Sequence, residues 1–322
     1  MGKGSKKGSL KAALSSQQSR LKKKQEAAQA IQRAERLKAA GSQAKGKGKA
    51  TAVPSHTRPA IPFKPTDRIL LIGEGNFSFA RALVCSPPES LAFLPATNVT
   101  ATAYDTEEEC RTKYPESEEI IKTLREKGVH VLFSVDATKL EKCHALKDRK
   151  YNKVVWNFPH AGKGITDQDR NILSNQQLLL GFLRSVAPLL TKGPIPSVRV
   201  SRKRKRNPDD DEDSGDDGGA DADLPEVSSD TPTPRGTVLI TLRNVAPYTL
   251  WDLPNLAKSP PPPSTAQPPS PRYIQLRSFA FHRTLWEGYE HRMTKGERAH
   301  GQGKTGEGGE DRTWEFCLRL RD

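Results

Sequence analysis

Four short apolar runs in this sequence each end in residues able to contact a ligand: Gly73 and Gly75 in Gly73-Glu-Gly-Asn-Phe77, Asp105, Asp136 followed by Ala137, and the quartet Asn157-Phe-Pro-His160. Glycines one residue apart let a backbone approach a ligand closely, and the free N–H groups of a following helix start can face it. An ionised carboxylate only accepts hydrogen bonds, so Asp105 suits a pair of ribose hydroxyls and Asp136 an exocyclic amine, with Ala137 leaving room for a ring. Each aspartate has a plainer use as a helix N-cap, and the glycines as a tight strand-to-helix turn. Asn157 offers an amide that can orient a planar nitrogen centre. His160 can stack on a ring or, with an ordinary pKa near ~6.5, take up a proton at neutral pH, although a lone histidine is more often structural.

The spacing discriminates among ligands. A dinucleotide fingerprint needs a third glycine and an acid about 20 residues further on. Ser78 stands in the place of that glycine, and Asp105 lies 30 residues past Gly75. S-adenosylmethionine fits better: it has no pyrophosphate and asks for backbone approach to its amino-acid end plus a carboxylate for its ribose. The loop residues Glu74, Asn76 and Phe77 complete the stretch expected to hold it. The four cysteines, Cys85, Cys110, Cys143 and Cys317, form no CxxC pair and have no histidine at ligand spacing, so neither a metal site nor a disulfide framework is expected.

The elements that must position these groups follow from hydrophobic pattern. Arg68–Ile72, Val99–Tyr104, Val129–Val135, Lys153–Trp156 and Gly236–Leu242 read as strands. Helices are expected from Ser78, from Thr106 with its acidic first turn, through Ile120–Lys127, and from Asp167 to Leu190 before Gly193. Arg272–Phe281 and Trp314–Leu320 add two strands. Alternation of strand and helix predicts an α/β fold with a mostly parallel, seven-stranded sheet covered by helices on both faces. Ligands of such sheets bind at the carboxyl ends of the strands, where the four groups above are found.

The net charge of +14 is concentrated outside this core. Residues 1–50 hold fourteen Lys/Arg against two Glu, residues 199–206 hold six basic side chains, and residues 207–230 hold eleven acidic ones and no basic one. The sequence therefore divides into a basic, disordered tail at 1–57 and an α/β domain at 58–322, interrupted by disordered insertions at 194–235 and at 258–271, the latter with seven prolines. Arg202-Lys-Arg-Lys-Arg206 reads as a nuclear import signal for an import receptor, or as solvated linker. No apolar run approaches the ~20 residues of a membrane span, no signal peptide is evident, and Lys6 stands where a myristoylation signal wants Ser or Thr. No membrane association is expected, and the chain reads as intracellular.

Several blocks in order carry a resemblance: Ile69–Ala80, Tyr104–Glu109, Lys113-Tyr-Pro115, Val135-Asp-Ala-Thr138, Asn157-Phe-Pro-His160, Asn175–Leu180, Pro247-Tyr248 with Trp251, and Gly288-Tyr-Glu-His-Arg292 with Thr294. Over about Pro65 to Thr294 the sequence resembles the eukaryotic large-subunit ribosomal RNA (uridine-N3) methyltransferase family. It departs from the family pattern in its acidic insertion, its proline tract and Met293. The resemblance implies a Rossmann-like class I fold, S-adenosylmethionine as cofactor, ribosomal RNA or a pre-ribosomal particle as partner, a monomer, and a nuclear, nucleolar address. Asn157 is then expected to orient the uracil edge and His160 to receive the N3 proton, with loss to water the alternative. Tyr248, Trp251, Tyr289, His291 and Arg292 are the candidate RNA contacts, by stacking and guanidinium planes; otherwise the aromatics fill the sheet edge. The rival reading from another class is a non-catalytic ribosome-assembly factor that uses the fold as an RNA platform. Deleting residues 1–50 is expected to weaken RNA affinity and flatten its salt dependence, because each lost Lys/Arg–phosphate contact removes released counterions; an unchanged slope in a salt titration of binding makes the tail a bystander.

Overall fold

The computed structural model describes residues 19–20, 59–196, 232–262, 269–292 and 310–319. The expected basic tail, apart from residues 19 and 20, the 202–206 cluster, the acidic tract and the middle of the proline tract lie outside the described residues.

The strands are β1 (Ile69–Ile72), β2 (Val99–Thr102), β3 (His130–Leu132), β4 (Lys153–Asn157), β5 (Thr237–Arg243), β6 (Tyr273–Ala280) and β7 (Asp311–Leu318). They form one sheet in the order β3-β2-β1-β4-β5-β7-β6. The first five run parallel, while β7 is antiparallel to both β5 and β6. The helices are α1 (Ser78–Cys85), α2 (Glu107–Lys113), α3 (Ser117–Glu126), α4 (Gln168–Val186) and α5 (Leu253–Lys258).

β1 is Ile-Leu-Leu-Ile, buried along its whole length, as a parallel strand covered on both faces must be. Ile69 and Leu71 join a core with Phe79 and Leu83 of α1 and Ile121 and Leu124 of α3. Leu70 and Ile72 join another with Leu179, Phe182 and Leu183 of α4 and Leu256 of α5. The strand order reverses at β1, which pairs with β2 on one edge and β4 on the other; a crevice at the carboxyl ends opens at such a switch point.

Several expected elements end early, β2 at Thr102 and β7 at Leu318 among them. The third strand stops at Leu132 because Ser134 takes a left-handed φ of 56°. Beyond it, Ser134 N–H still donates to Asp105 C=O and Val135 N–H to Ala103 C=O, both at 3.0 Å, so the turns after β2 and β3 are tied together. The helix after β4 is regular only to Val186, then tightens into a 3-10 turn at Ala187–Leu189; Pro188 within that turn lacks the N–H that a continuing helix needs. Flanking the long insertion, Arg235 N–H donates to Pro194 C=O at 2.9 Å and Arg235 Nη1 to Leu318 C=O at 2.7 Å.

At the amino end of the parallel strands, a buried ion cluster links four strands. Glu315 of β7, 1 % exposed, receives Lys153 Nζ of β4 and Arg277 Nε of β6 at 2.6 Å each and the Thr237 hydroxyl of β5 at 2.8 Å. Burial opposes ionisation of Glu315, but Lys153 and Arg277 prevail and hold its pKa below the ordinary glutamate value. Its contribution is therefore complete above about pH 4.5, the unfolded value, and lost as the pH falls through the lower folded pKa. Glu315→Ala, which strands two cations, is expected to cost about 3–5 kcal/mol in urea unfolding at pH 7; a loss under 1 kcal/mol contradicts this assignment.

Candidate active site

The carboxyl ends of β1 to β4 border a cleft of about 1260 Å³. It is lined by the predicted residues Gly73, Glu74, Gly75, Asn76, Phe77, Asp105, Asp136, Ala137, Asn157, His160, Tyr289, His291 and Arg292. Tyr248 and Trp251 are not among its walls.

The loop after β1 is shaped by its own neighbours. Gly73 has φ +62°, and a β-carbon there would lie 2.9 Å from Trp156 Nε1; at Gly75 it would lie 3.2 Å from the Tyr114 ring and hydroxyl. Both glycines therefore let buried aromatics pack beneath the loop. The start of α1 corrects the expectation of free N–H groups facing a ligand: Ser78 N–H donates to Asn76 Oδ1 at 3.2 Å and Ala80 N–H to Glu74 Oε1 at 3.0 Å. An anion at this helix start must compete with those side chains. Glu74 itself is held in apolar surroundings that push its pKa up to about 8, and its Oε2 is buried without a partner among the described residues.

Asp105 receives Lys113 Nζ at 2.6 Å. Next to it, Thr106 N-caps α2 through a reciprocal capping box with Glu109, an arrangement worth about 1 kcal/mol that fixes the turn carrying Asp105. Asp136 does act as a cap: Oδ1 accepts from Thr138 N–H at 2.8 Å and from its hydroxyl at 2.7 Å, while Oδ2 meets Lys139 Nζ at 3.1 Å. Burial opposes its ionisation, and these bonds hold its pKa below the ordinary value. Ala137 is buried at 8 % exposure.

Asn157 closes β4 with its side chain fixed: the Thr241 hydroxyl donates to Asn157 Oδ1 at 2.8 Å, and Thr241 in turn lies 2.9 Å from Thr313 Oγ1. On the loop that follows, Gly162 N–H donates to His160 Nδ1 at 2.9 Å and Ala161 N–H to Asn175 Oδ1 at 2.8 Å. The His160 ring sits 6.0 Å from the Trp251 ring, and desolvation holds its pKa below the ordinary value.

The far wall is a strap at residues 286–292. Ser78 Oγ exchanges hydrogen bonds with the Glu290 backbone at 2.9 and 3.1 Å, and Arg292 Nη2 reaches Glu116 at 2.7 Å and Glu290 at 3.1 Å. His291 packs 4.5 Å from the Phe158 ring; burial, with Arg283 and Arg243 nearby, lowers its pKa to about 4, so it is neutral at pH 7. Burial likewise pushes the Tyr289 phenol far above its ordinary value.

Among the expected RNA contacts, Trp251 is 1 % exposed and packs 5.1 Å from Tyr248: its indole backs His160 and has no open face for a base. Residues that pattern reading missed include Tyr104, 71 % exposed on the cleft wall beside Asp105, and the supports Thr241, Thr313 and Asn171. An aromatic directly before the strand-end acid was a usable signal for Tyr104; nothing local marks the threonines, which lie on strands adjacent only in space. Among the described residues, no cluster of three or more His, Cys, Asp or Glu is placed to hold a metal ion, and no helix is long and apolar enough to cross a membrane.

The cleft lies at the switch point of a mostly parallel α/β sheet, with acids in the turns after β2 and β3 and an amide at the end of β4, and the family of the chain is one of methyltransferases. The chain belongs to the BMT5-like family, described as rRNA (uridine-N3-)-methyltransferase BTM5-like, which matches residues 70–293. It is 27 % identical over 259 residues to the 25S rRNA (uridine(2634)-N(3))-methyltransferase of Saccharomyces cerevisiae, covering 74 % of this chain and 69 % of the yeast protein. It is 35 % identical over 131 residues to an uncharacterized Arabidopsis thaliana protein, covering 40 % of this chain and 60 % of that one. It is 38 % identical over 125 residues to the mouse ferredoxin-fold anticodon-binding domain-containing protein 1 homolog, covering 39 % of this chain and 18 % of the mouse protein.

The unpartnered carboxyl of Glu74 carries a consequence for stability. A folded pKa raised to about 8 means that the folded state holds a proton the unfolded state has released above about pH 4.5, so stability falls as the pH rises between those values. Glu74→Gln keeps the acceptor for Ala80 and is expected to raise the urea midpoint of the ligand-free protein, more at pH 8 than at pH 5. An equal effect at both pH values rules out a buried, titrating Glu74.

Proposed function

We propose that this chain is a class I, Rossmann-like methyltransferase that uses S-adenosylmethionine to methylate N3 of a uridine in large-subunit, 25S-type ribosomal RNA. The observation that carries the reading is the convergence of Gly73–Phe77, Asp105, Asp136 and Asn157–His160 on one cleft, in a chain of this family.

The residues present fit the cofactor. The unpartnered, buried Oε2 of Glu74 calls for a cation, such as the ammonium of an amino-acid group, and binding there would ionise the carboxyl. Asp105 would hold the ribose hydroxyls in exchange for part of its contact with Lys113. Ala137 and the exposed Tyr104 ring would bracket the adenine, with Asp136 facing its amine. When bound, S-adenosylmethionine supplies an electrophilic methyl group on a sulfonium centre. Asn157, locked by Thr241, would orient the target edge, and such orientation lowers the barrier by removing the search for an attack geometry. Tyr289 and His291 on the strap face the cleft where a splayed base would enter, and a base paired in a helix would first have to be flipped. The wider reading is a monomer that works on ribosomal RNA or pre-ribosomal particles in the nucleolus, delivered through residues 202–206.

Nucleoside mass spectrometry of large-subunit RNA from cells lacking this protein is expected to show loss of 3-methyluridine at one site, restored by the wild-type chain and not by Asp105→Ala. In calorimetry, Asp105→Ala is expected to lose saturable S-adenosylmethionine binding. Absence of cofactor binding by the wild type, with RNA binding intact, supports the assembly-factor reading instead.

A further inference from the structure

The hydrogen bonds around His160 specify which of its ring nitrogens is available. A backbone N–H can only donate, so the bond from Gly162 to Nδ1 at 2.9 Å occupies the Nδ1 lone pair. In the neutral ring the proton is then on Nε2. The loop that enforces this is itself fixed: Asn175, 1 % exposed, accepts from Ala161 N–H and donates to the Asn171 carbonyl and side chain at 2.9 and 2.8 Å, and Asn171 donates to Ile165 C=O at 3.1 Å. His160 therefore presents a donor to the cleft and no free lone pair. To act as a base it would have to break the Gly162 bond.

Asn157 is equally constrained. The Thr241 hydroxyl has one proton, which it gives to Asn157 Oδ1, and Thr313 then donates to Thr241. The amide keeps a second acceptor site on Oδ1, and both Nδ2 hydrogens are without a partner among the described residues. Asn157 and His160 both line the cleft, and the groups their other bonds leave over are a donor and an acceptor on the amide and a donor on the imidazole. The edge of uracil around N3 reads acceptor, donor, acceptor; cytosine, with an unprotonated N3 and an amine beside it, mismatches two of the three positions.

We propose that His160 is a catalytic hydrogen-bond donor, giving Nε2–H to a uracil carbonyl, and that with Asn157 it selects uracil over cytosine. This role rests on the uridine-N3 reading above. As the N3–H bond breaks, its proton would pass to water and the negative charge would be shared between N3 and both carbonyl oxygens; the N3 pair would then form the N–C bond to the methyl group while the sulfur–carbon bond breaks, its pair staying on the departing neutral thioether. A fixed donor at one of those oxygens stabilises the charge as it develops.

The test compares full-length wild type, His160→Gln and His160→Ala, where glutamine places an N–H donor near the Nε2 position but cannot act as a base. Calorimetric S-adenosylmethionine binding, expected to be the same in all three, checks folding. The rate of 3-methyluridine formation is measured on deproteinised large-subunit RNA from cells lacking the protein. His160→Gln is expected within about tenfold of wild type and His160→Ala lower by about 100-fold or more. Equal rates for the two variants, or an unimpaired His160→Ala, overturn the donor role. A second readout needs no reaction: fluorescence anisotropy with oligouridylate and oligocytidylate. Wild type and His160→Gln are expected to prefer uridine, and His160→Ala to lose about fivefold of that preference. If the wild type makes no 3-methyluridine but shows this His160-dependent preference, the donor role stands and the assigned reaction falls. A preference that is absent, or untouched in His160→Ala, overturns the donor role whatever the reaction.

Discussion

The cleft depends on the parallel pairing of β1 with β2 on one edge and β4 on the other. That pairing is possible because all four residues of β1 are apolar and both faces are covered. Five parallel strands must then end on the same edge of the sheet, and residues far apart in sequence, from Gly73 to Asn157, are brought together by register alone. Asn157 lies opposite Thr241 because Trp156 lies opposite Ile240. A one-residue slip would send every side chain of a strand to the other face, taking Asn157 out of the cleft and Trp156 out from under Gly73.

The loop above β1 shows how the same residues serve packing and binding. Gly73 and Gly75 admit Trp156 and Tyr114 beneath the backbone, and Asn76 and Glu74 consume N–H groups at the start of α1. The second carboxyl oxygen of Glu74 stays buried without a partner among the described residues. Leaving such a group unsatisfied is unfavourable by roughly 1–3 kcal/mol, and an ionised one more so, which is why burial pushes the Glu74 pKa up to about 8. A loop rich in glycine is commonly associated with anion recognition through helix donors; here two of those donors are already taken by Asn76 and Glu74.

Strand ends were legible because four apolar runs each stop at a polar residue, and in a sheet covered on both faces a polar residue marks where cover ends. Asn157 accordingly ends β4, while Asp105 and Asp136 lie three and four residues beyond the last residues of β2 and β3, in the turns that follow them. The direction of hydrogen bonds was not legible, since it depends on partners remote in sequence: Thr241 on Asn157, Asn175 on the His160 loop, Glu74 on Ala80. Trp251 and Arg292 illustrate the same limit. Both read as RNA contacts by residue type, yet one is sealed in the core and the other is engaged by Glu116 and Glu290. The end of β3 escaped because Val129–Val135 is apolar almost throughout, and nothing in its composition marks Ser134 as left-handed.

Arg292 also helps to tie the strap to the loop after β1. Glu116, at the start of α3, accepts from Arg292 and from Asn76 Nδ2 at 3.1 Å, and Asn76 Oδ1 in turn holds Ser78 N–H, while the Ser78 hydroxyl holds the Glu290 backbone. The chain of bonds closes on itself: strap, α3, loop, α1 and strap again. Arg81 adds a further tie, to Gly288 C=O at 3.0 Å. A ligand that moves the 73–77 loop must therefore move Glu290 and Arg292, and with them the adjoining Tyr289 and His291. The wall formed by Tyr289 and His291 therefore has its position set by the loop after β1, and the two halves of the cleft are mechanically one unit.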